Sequence, residues 1–159
     1  MKQFCIIAAL LLINMISAQE ITTIYLIRHA EKADASKDTE LSEAGKARAE
    51  KWKDYFLDKN IEAIYSTNYK RTLNTVKPFA KHINLNIEIY GSQEMDLDAL
   101  AKTSKYKTLL IVGHSNRLPK YINTLIGNDT YPDINEEEFG TLYTIIIDGD
   151  NVSHRMEKL

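Results

Sequence analysis

Apolar runs in this chain are short and stop abruptly in polar clusters. Thr23-Ile24-Tyr25-Leu26-Ile27 is β-branched, aromatic or leucine throughout, and its polarity switches within one residue to Arg28-His29-Ala30-Glu31-Lys32. That pattern predicts a strand covered on both faces, which delivers an Arg-His pair to a sheet edge. Ile61 to Tyr65 repeats the theme and ends in Ser66-Thr67-Asn68; Thr108 to Val112 repeats it again and ends in Gly113-His114-Ser115-Asn116. Segments of helical spacing lie between these runs. The first opens at Leu41-Ser42-Glu43-Ala44-Gly45, with Ser42 as N-cap, Glu43 near the positive end of the dipole, and Ala44, Ala47, Trp52, Tyr55 and Phe56 as the buried stripe. Cap chemistry for the second is expected in Ser66-Thr67-Asn68, Arg71 falls in its first turn, and Leu73, Val76, Phe79, Ala80 and Ile83 form its core face. Another, capped by Ser115 or Asn116 with Pro119 in its first turn, buries Leu118, Tyr121, Ile122, Leu125 and Ile126 and stops at Gly127-Asn128.

Leu85 to Tyr90 alternates as a strand does, and Leu97 to Ala101 is a short amphipathic segment. Near the end, Leu142 to Ile147 and Val152 to Met156 flank Asp148-Gly149-Asp150-Asn151, which is a hairpin signal. The order of elements predicts one three-layer α/β/α domain, its sheet mainly parallel and completed by an antiparallel C-terminal hairpin. Ala33 to Thr39 and Tyr131 to Glu138 are polar loops. In such folds ligands bind at the carboxyl ends of the parallel strands, where loops of this kind lie.

Composition narrows the class. A chain of 159 residues, 44% hydrophobic and 26% charged, has room for one ordinary globular domain. Its first segment stands apart: Met1-Lys2-Gln3 is a short positive start, Phe4 to Ile16 an apolar stretch broken only by Asn14, and Ser17-Ala18 a small-residue end. This reads as a secretory signal peptide, too short for the ~20 residues of a membrane-spanning helix, so residues 1–18 are expected to be removed and 19–159 to form the domain. A retained anchoring helix is the alternative. Periplasmic or secreted placement follows from the leader, and the lone cysteine, Cys5, would leave with it. Loss of Lys2 takes the net charge from −2 to −3, no basic run stands out, and nucleic acid is excluded as a partner.

The predicted strand and helix starts gather Arg28, His29, Arg71 and His114. A histidine at such a place is a nucleophile, a general base, a metal ligand or a satisfied polar group of the core. Arg71 at a helix start opposes the dipole unless an anion sits there, although a solvated arginine is the plain alternative. Two arginines and two histidines together suit a phosphoryl group: guanidiniums fork onto its oxygens, one imidazole can attack, and the other can donate a hydrogen bond. Zinc is disfavoured, since two arginines repel the cation, no mature cysteine exists, and Glu31 is the sole nearby carboxylate.

Four motifs in order carry a resemblance over nearly the whole mature chain. Leu26-Ile27-Arg28-His29-Ala30-Glu31, Leu41-Ser42-Glu43-Ala44-Gly45, Ser66-Thr67 with Arg71-Thr72 and Thr75, and Val112-Gly113-His114-Ser115 resemble the signatures of the histidine phosphatase superfamily, of phosphoglycerate mutase-like fold. The length is similar to that of its small phosphatases. This resemblance implies a phosphohistidine mechanism in which His29 attacks phosphorus, Arg28, Arg71 and His114 form the phosphate pocket, and no metal or other cofactor is needed. Glu31, Ser115 and Asn116 are expected to touch a small phosphorylated substrate. Glu94, in a loose fit to the family's general-acid position, is the candidate acid, with Glu31 and Asp96 as rivals. A mutase and a non-catalytic phosphate-binding module are the alternative functions; the short chain disfavours the first and the complete Arg-His set the second. If the leader is processed as expected, mass spectrometry of natively expressed protein will find Gln19 or pyroglutamate at the N-terminus; an intact Met1 or Lys2 terminus would refute export with cleavage after Ala18.

Overall fold

The computed structural model describes residues 20–91 and 95–159, so the expected leader and Glu94 lie outside the described residues. Among the described residues six strands and four helices follow one another in the order β1 (Ile21–Arg28), α1 (Glu43–Phe56), β2 (Ala63–Thr67), α2 (Lys70–His82), β3 (Ile87–Tyr90), α3 (Leu97–Thr103), β4 (Thr108–Gly113), α4 (Leu118–Ile126), β5 (Thr141–Asp148) and β6 (Asn151–Lys158). One sheet takes the order β3-β2-β4-β1-β5-β6. β1, β2, β3 and β4 run parallel, while β5 lies antiparallel to β1 and β6 antiparallel to β5. The expected mixed sheet with a C-terminal hairpin is therefore the observed one.

Each face of the sheet is sealed by a pair of helices. On one side Ile24, Leu26, Leu109, Ile111 and Ile145 meet Leu97 and Ala101 of α3 and Leu118 and Ile122 of α4. On the other, Ile27, Ile64, Leu110, Val112 and Leu142 meet Trp52 and Phe56 of α1 and Val76, Phe79 and Ala80 of α2. Residues adjacent along β1 and β4 thus go to opposite cores, which is why those strands read as continuous apolar runs. Burying a large apolar side chain contributes about 1.5–3 kcal/mol, so these two layers carry much of the fold's stability. Gly127 closes α4 in the left-handed conformation at φ 67°, as its place after the apolar stripe predicts.

Several local expectations need correction. The buried face of α1 is Gly45, Ala49, Trp52 and Phe56, while Ala44 and Ala47 are exposed. The phase is set at the first turn, where Ser42 Oγ accepts from Gly45 N at 3.1 Å and Ser42 N donates to Glu31 O at 2.9 Å. That anchor holds the helix start against the chain leaving β1, and only the 45-49-52-56 face then points inward. Ser66-Thr67-Asn68 does not cap α2. Ser66 and Thr67 belong to β2, the N-cap is Tyr69 with no side-chain bond, and Asp38 from the 33–39 loop accepts from Lys70 N at 2.8 Å instead. Nor do Ser115 or Asn116 cap α4, whose N-cap is Arg117. The hydroxyl of Ser115 is engaged elsewhere.

Gly45 is fixed by contact. A Cβ built there would lie 2.3 Å from the carbonyl oxygen of Glu31, a backbone atom that cannot swing aside. Gly45→Ala would gain up to about 1 kcal/mol of helix propensity but must push α1 off its anchor. The clash is expected to win, with a net loss of roughly 1–3 kcal/mol by denaturant unfolding; a variant as stable as the wild type would show that this contact is not a constraint.

Candidate active site

The parallel register of β1 and β4 pairs Arg28 with Gly113, and His29 N donates to Gly113 O at 3.0 Å. The two histidines that follow are thereby brought side by side, ring centroids 5.6 Å apart. They share a cavity of about 280 Å³ with Lys32, Tyr69, Arg71, Ser115, Asn116, Arg117 and Glu136. It opens at the carboxyl ends of the parallel strands, where ligand sites of such folds are found.

His29 is 4% exposed, and its Nδ1 lies 2.8 Å from the carbonyl oxygen of Ala30. A carbonyl only accepts, so the proton sits on Nδ1 and Nε2 keeps its lone pair. Burial first, and then the charge of Arg28 among its neighbours, pushes the ring down to about 3, although the bond to Ala30 O works the other way. At neutral pH it is an uncharged imidazole. Ala30 is held in turn, because its N–H donates to Thr75 Oγ1 at 2.8 Å and that hydroxyl donates to Arg71 O at 2.7 Å. Thr75 thus ties α2 to the chain immediately after His29.

A relay of hydroxyls sets the tautomer of His114. Thr72 Oγ1 has carbonyl acceptors at 2.8 Å (Thr67) and 2.9 Å (Tyr69), and its single proton goes to one of them. Thr67 Oγ1, 3.0 Å away, is then the donor of the Thr67-Thr72 pair, which leaves it to accept from His114 Nε2 at 3.0 Å. His114 Nδ1 remains as the lone-pair side, 3.5 Å from Arg71 Nη2. Burial, followed by Arg71 and Arg28, pushes this ring down to about 4.

Both arginines are braced by backbone. Arg28, 2% exposed, donates from Nη1 to the carbonyls of Asn135 (2.8 Å) and Glu138 (2.7 Å) and from Nη2 to Glu136 Oε2 (2.9 Å), with its guanidinium 4.4 Å over the Phe139 ring. Arg71 donates from Nη1 to Lys37 O at 2.8 Å and lies 4.4 Å over Tyr69. Among the described residues four buried side-chain polar atoms lack a hydrogen-bond partner, and two of them are Arg28 Nε and Arg71 Nε. A buried unpaired donor costs about 1–3 kcal/mol, and each of the two guanidiniums carries one.

Of the residues singled out from sequence, His29, Arg71, His114, Ser115 and Asn116 line the cavity, and Arg28 adjoins it through Glu136. Glu31 turns to α1. Arg48 Nε lies 2.9 Å from both its oxygens and Nη2 2.6 Å from Oε1, which keeps the carboxyl below its usual range although burial pulls it up. Asp96 caps α3 by accepting from Ala99 N at 3.0 Å. Sequence reasoning missed Glu136. Its carboxylate accepts from Ser115 Oγ and Arg28 Nη2, and the Ser115 hydroxyl, with Arg28, holds it below the ordinary range against partial burial. Thr67, Thr72 and Thr75 were also missed as supports. No group of three or more His, Cys, Asp or Glu placed to hold a metal ion exists among the described residues.

The two neutral histidines link stability to pH. Their folded pKa values, about 3 and about 4, lie below the ordinary 6.5, so between these limits the unfolded chain binds protons that the folded one refuses. Stability should therefore fall as pH drops below 6.5, by up to about 1.4 kcal/mol per unit for each histidine. Unfolding curves from pH 7 to 4 measure the slope, and His29→Asn should remove one histidine's share; an unchanged slope would show that His29 is not held neutral.

Residues 24–98 match the sequence profile of the histidine phosphatase superfamily (branch 1). No curated protein matches the sequence. Among solved structures, the phosphohistidine phosphatase SixA of Agrobacterium tumefaciens, itself described as putative, is similar at 22% identity and TM-score 0.63, with 86% of this chain and 98% of that one covered. A phosphoserine phosphatase variant from Entamoeba histolytica, in complex with phosphoserine, is 17% identical with TM-score 0.68, covering 84% and 94%. A SixA protein histidine phosphatase complexed with tungstate is 17% identical with TM-score 0.69, covering 86% and 96%. Over residues 24–98, then, the sequence matches the histidine phosphatase superfamily, and the fold is similar to that of these phosphatases.

Proposed function

We propose that the chain is an exported phosphatase that hydrolyses a phosphomonoester, or a related phosphoryl compound, through a phosphohistidine on His29 and without a metal ion. The observation that carries this reading is His29 itself, neutral and tied through Nδ1 to Ala30 O, beside two arginines that each hold an unpartnered buried Nε. The phosphoserine and tungstate complexes of proteins with the same fold support a tetrahedral oxyanion in this cavity.

In the proposed reaction His29 Nε2 attacks phosphorus as the ester oxygen departs, and water then cleaves the phosphorus–nitrogen bond to release inorganic phosphate. Tautomer and pKa suit the first step, since the attacking nitrogen is unprotonated at neutral pH and the Ala30 carbonyl stabilises the positive charge that develops on the ring. Arg28 and Arg71 supply fixed positive charge to the phosphoryl oxygens, the work that Mg²⁺ does in other phosphoryl-transfer enzymes. His114 already donates from Nε2 to Thr67, so it can donate to the phosphoryl group only from Nδ1, as an imidazolium. A bound dianion favours that second proton. Protonation of the leaving oxygen is assigned to Glu94, which comes four positions after the last residue of β3 in the sequence.

Trapping experiments separate the two histidines. His29→Ala removes the bond-forming atom, and turnover should fall by many powers of ten, each about 1.4 kcal/mol of barrier. His114→Ala deletes one donor to developing charge and should cost about 10²–10³ in rate. In buffer containing EDTA, an acid-labile, base-stable phosphate should be trapped on the wild type and on His114→Ala but not on His29→Ala. Label that persists on His29→Ala, or wild-type turnover abolished by EDTA and restored by zinc or magnesium, would overturn the mechanism.

A further inference from the structure

Glu136 has no place in the mechanism above, yet it stands in the same cavity as His29 and His114. Each carboxylate oxygen is engaged, one by the Ser115 hydroxyl and the other by Arg28 Nη2 at 2.9 Å. These are two donors that a phosphoryl group in this cavity would use. Of the three acidic side chains in a row, Glu136, Glu137 and Glu138, only Glu136 lines the cavity, because the backbone of this loop is clamped from below. Arg28 Nη1 holds the carbonyls of Asn135 and Glu138, Glu138 N donates to Asn135 O at 2.9 Å, and Ile134 N donates to Ser115 O at 3.1 Å. The clamp fixes the loop but not the side chain, which is 70% exposed and has an open path to solvent.

We propose that Glu136 is an internal anion that contends with the phosphoryl group for Arg28 and Ser115, and so weakens the hold of the site on its inorganic phosphate product. The carboxylate holds both Arg28 Nη2 and the Ser115 hydroxyl, while the neighbouring Arg28 Nε is buried and has no hydrogen-bond partner. An arriving oxyanion gains the Ser115 hydroxyl and Arg28 Nη2 when Glu136 rotates into solvent. On hydrolysis the carboxylate returns and displaces the phosphate. Charge-assisted bonds of this kind are individually strong, and an enzyme that offered both donors unopposed would release its product slowly. This inference rests on the phosphatase reading.

The test is direct binding of tungstate and of inorganic phosphate to the full-length chain by calorimetry, which needs no turnover. Glu136→Gln keeps the shape and removes the charge, and Glu136→Ala removes the side chain altogether; both should bind either oxyanion about tenfold more tightly or better than wild type. Glu137→Gln, on the same loop but outside the cavity, should bind as wild type does. With p-nitrophenyl phosphate as substrate, Glu136→Gln should show stronger inhibition by added phosphate. Unchanged or weaker oxyanion binding in both Glu136 variants would overturn the proposal while leaving the phosphatase reading intact. A fall in kcat with unchanged tungstate affinity would also overturn it, since Glu136 would then act on a proton. Failure of wild type and variants alike to bind any oxyanion would overturn the phosphatase reading, and this proposal with it.

Discussion

The register between β1 and β4 is the constraint on which the site depends. Arg28 opposite Gly113 places His29 and His114 at the same height on neighbouring strands, and a slip of one residue would send the apolar side chains of either strand to the wrong core. Two hydrophobic layers therefore specify the distance between two imidazoles. Precision at the strand ends comes from the sheet, while the loops supply only what must reach over the site.

Burial then determines the chemistry. Both rings are pushed below the physiological range chiefly because a charged imidazole is poorly solvated there, and two arginines add to that cost. Each ring has one nitrogen assigned by a neighbour: the Ala30 carbonyl for His29 and, through the relay from Thr72, the Thr67 hydroxyl for His114. The nitrogens left over are Nε2 of one ring and Nδ1 of the other. The two histidines are thus chemically distinct before any ligand arrives.

Much of this was legible in the sequence, for identifiable reasons. Apolar runs covered on both faces announce themselves, so β1, β2 and β4 and the residues at their ends were readable, as was the hairpin around Asp148-Gly149. What failed was local chemistry with more than one available partner. Ser66, Thr67 and Ser115 are good capping residues, but the sheet and the cavity claimed them, and Asp38 from a distant loop met Lys70 N. The face of α1 was misread near its start because a tertiary contact at Gly45, not apolar periodicity, fixes its rotation. Glu31 looked like a ligand residue from its place beside His29, and Arg48, seventeen positions on, took it. Glu136 was invisible for the opposite reason: three consecutive glutamates carry no signal of which one a buried arginine selects.

The 33–39 loop lies far in sequence from α2 but is joined to its first turn at two points. Lys37 O receives Arg71, and Asp38 receives the backbone N–H of Lys70. Opening of this loop and displacement of Arg71 are therefore coupled. Reciprocity requires that whatever fixes Arg71 against Lys37 also favours the closed loop, by the coupling free energy the two share. An anion in the cavity would slow amide exchange across residues 37 to 40, at a distance from the ligand and without touching them.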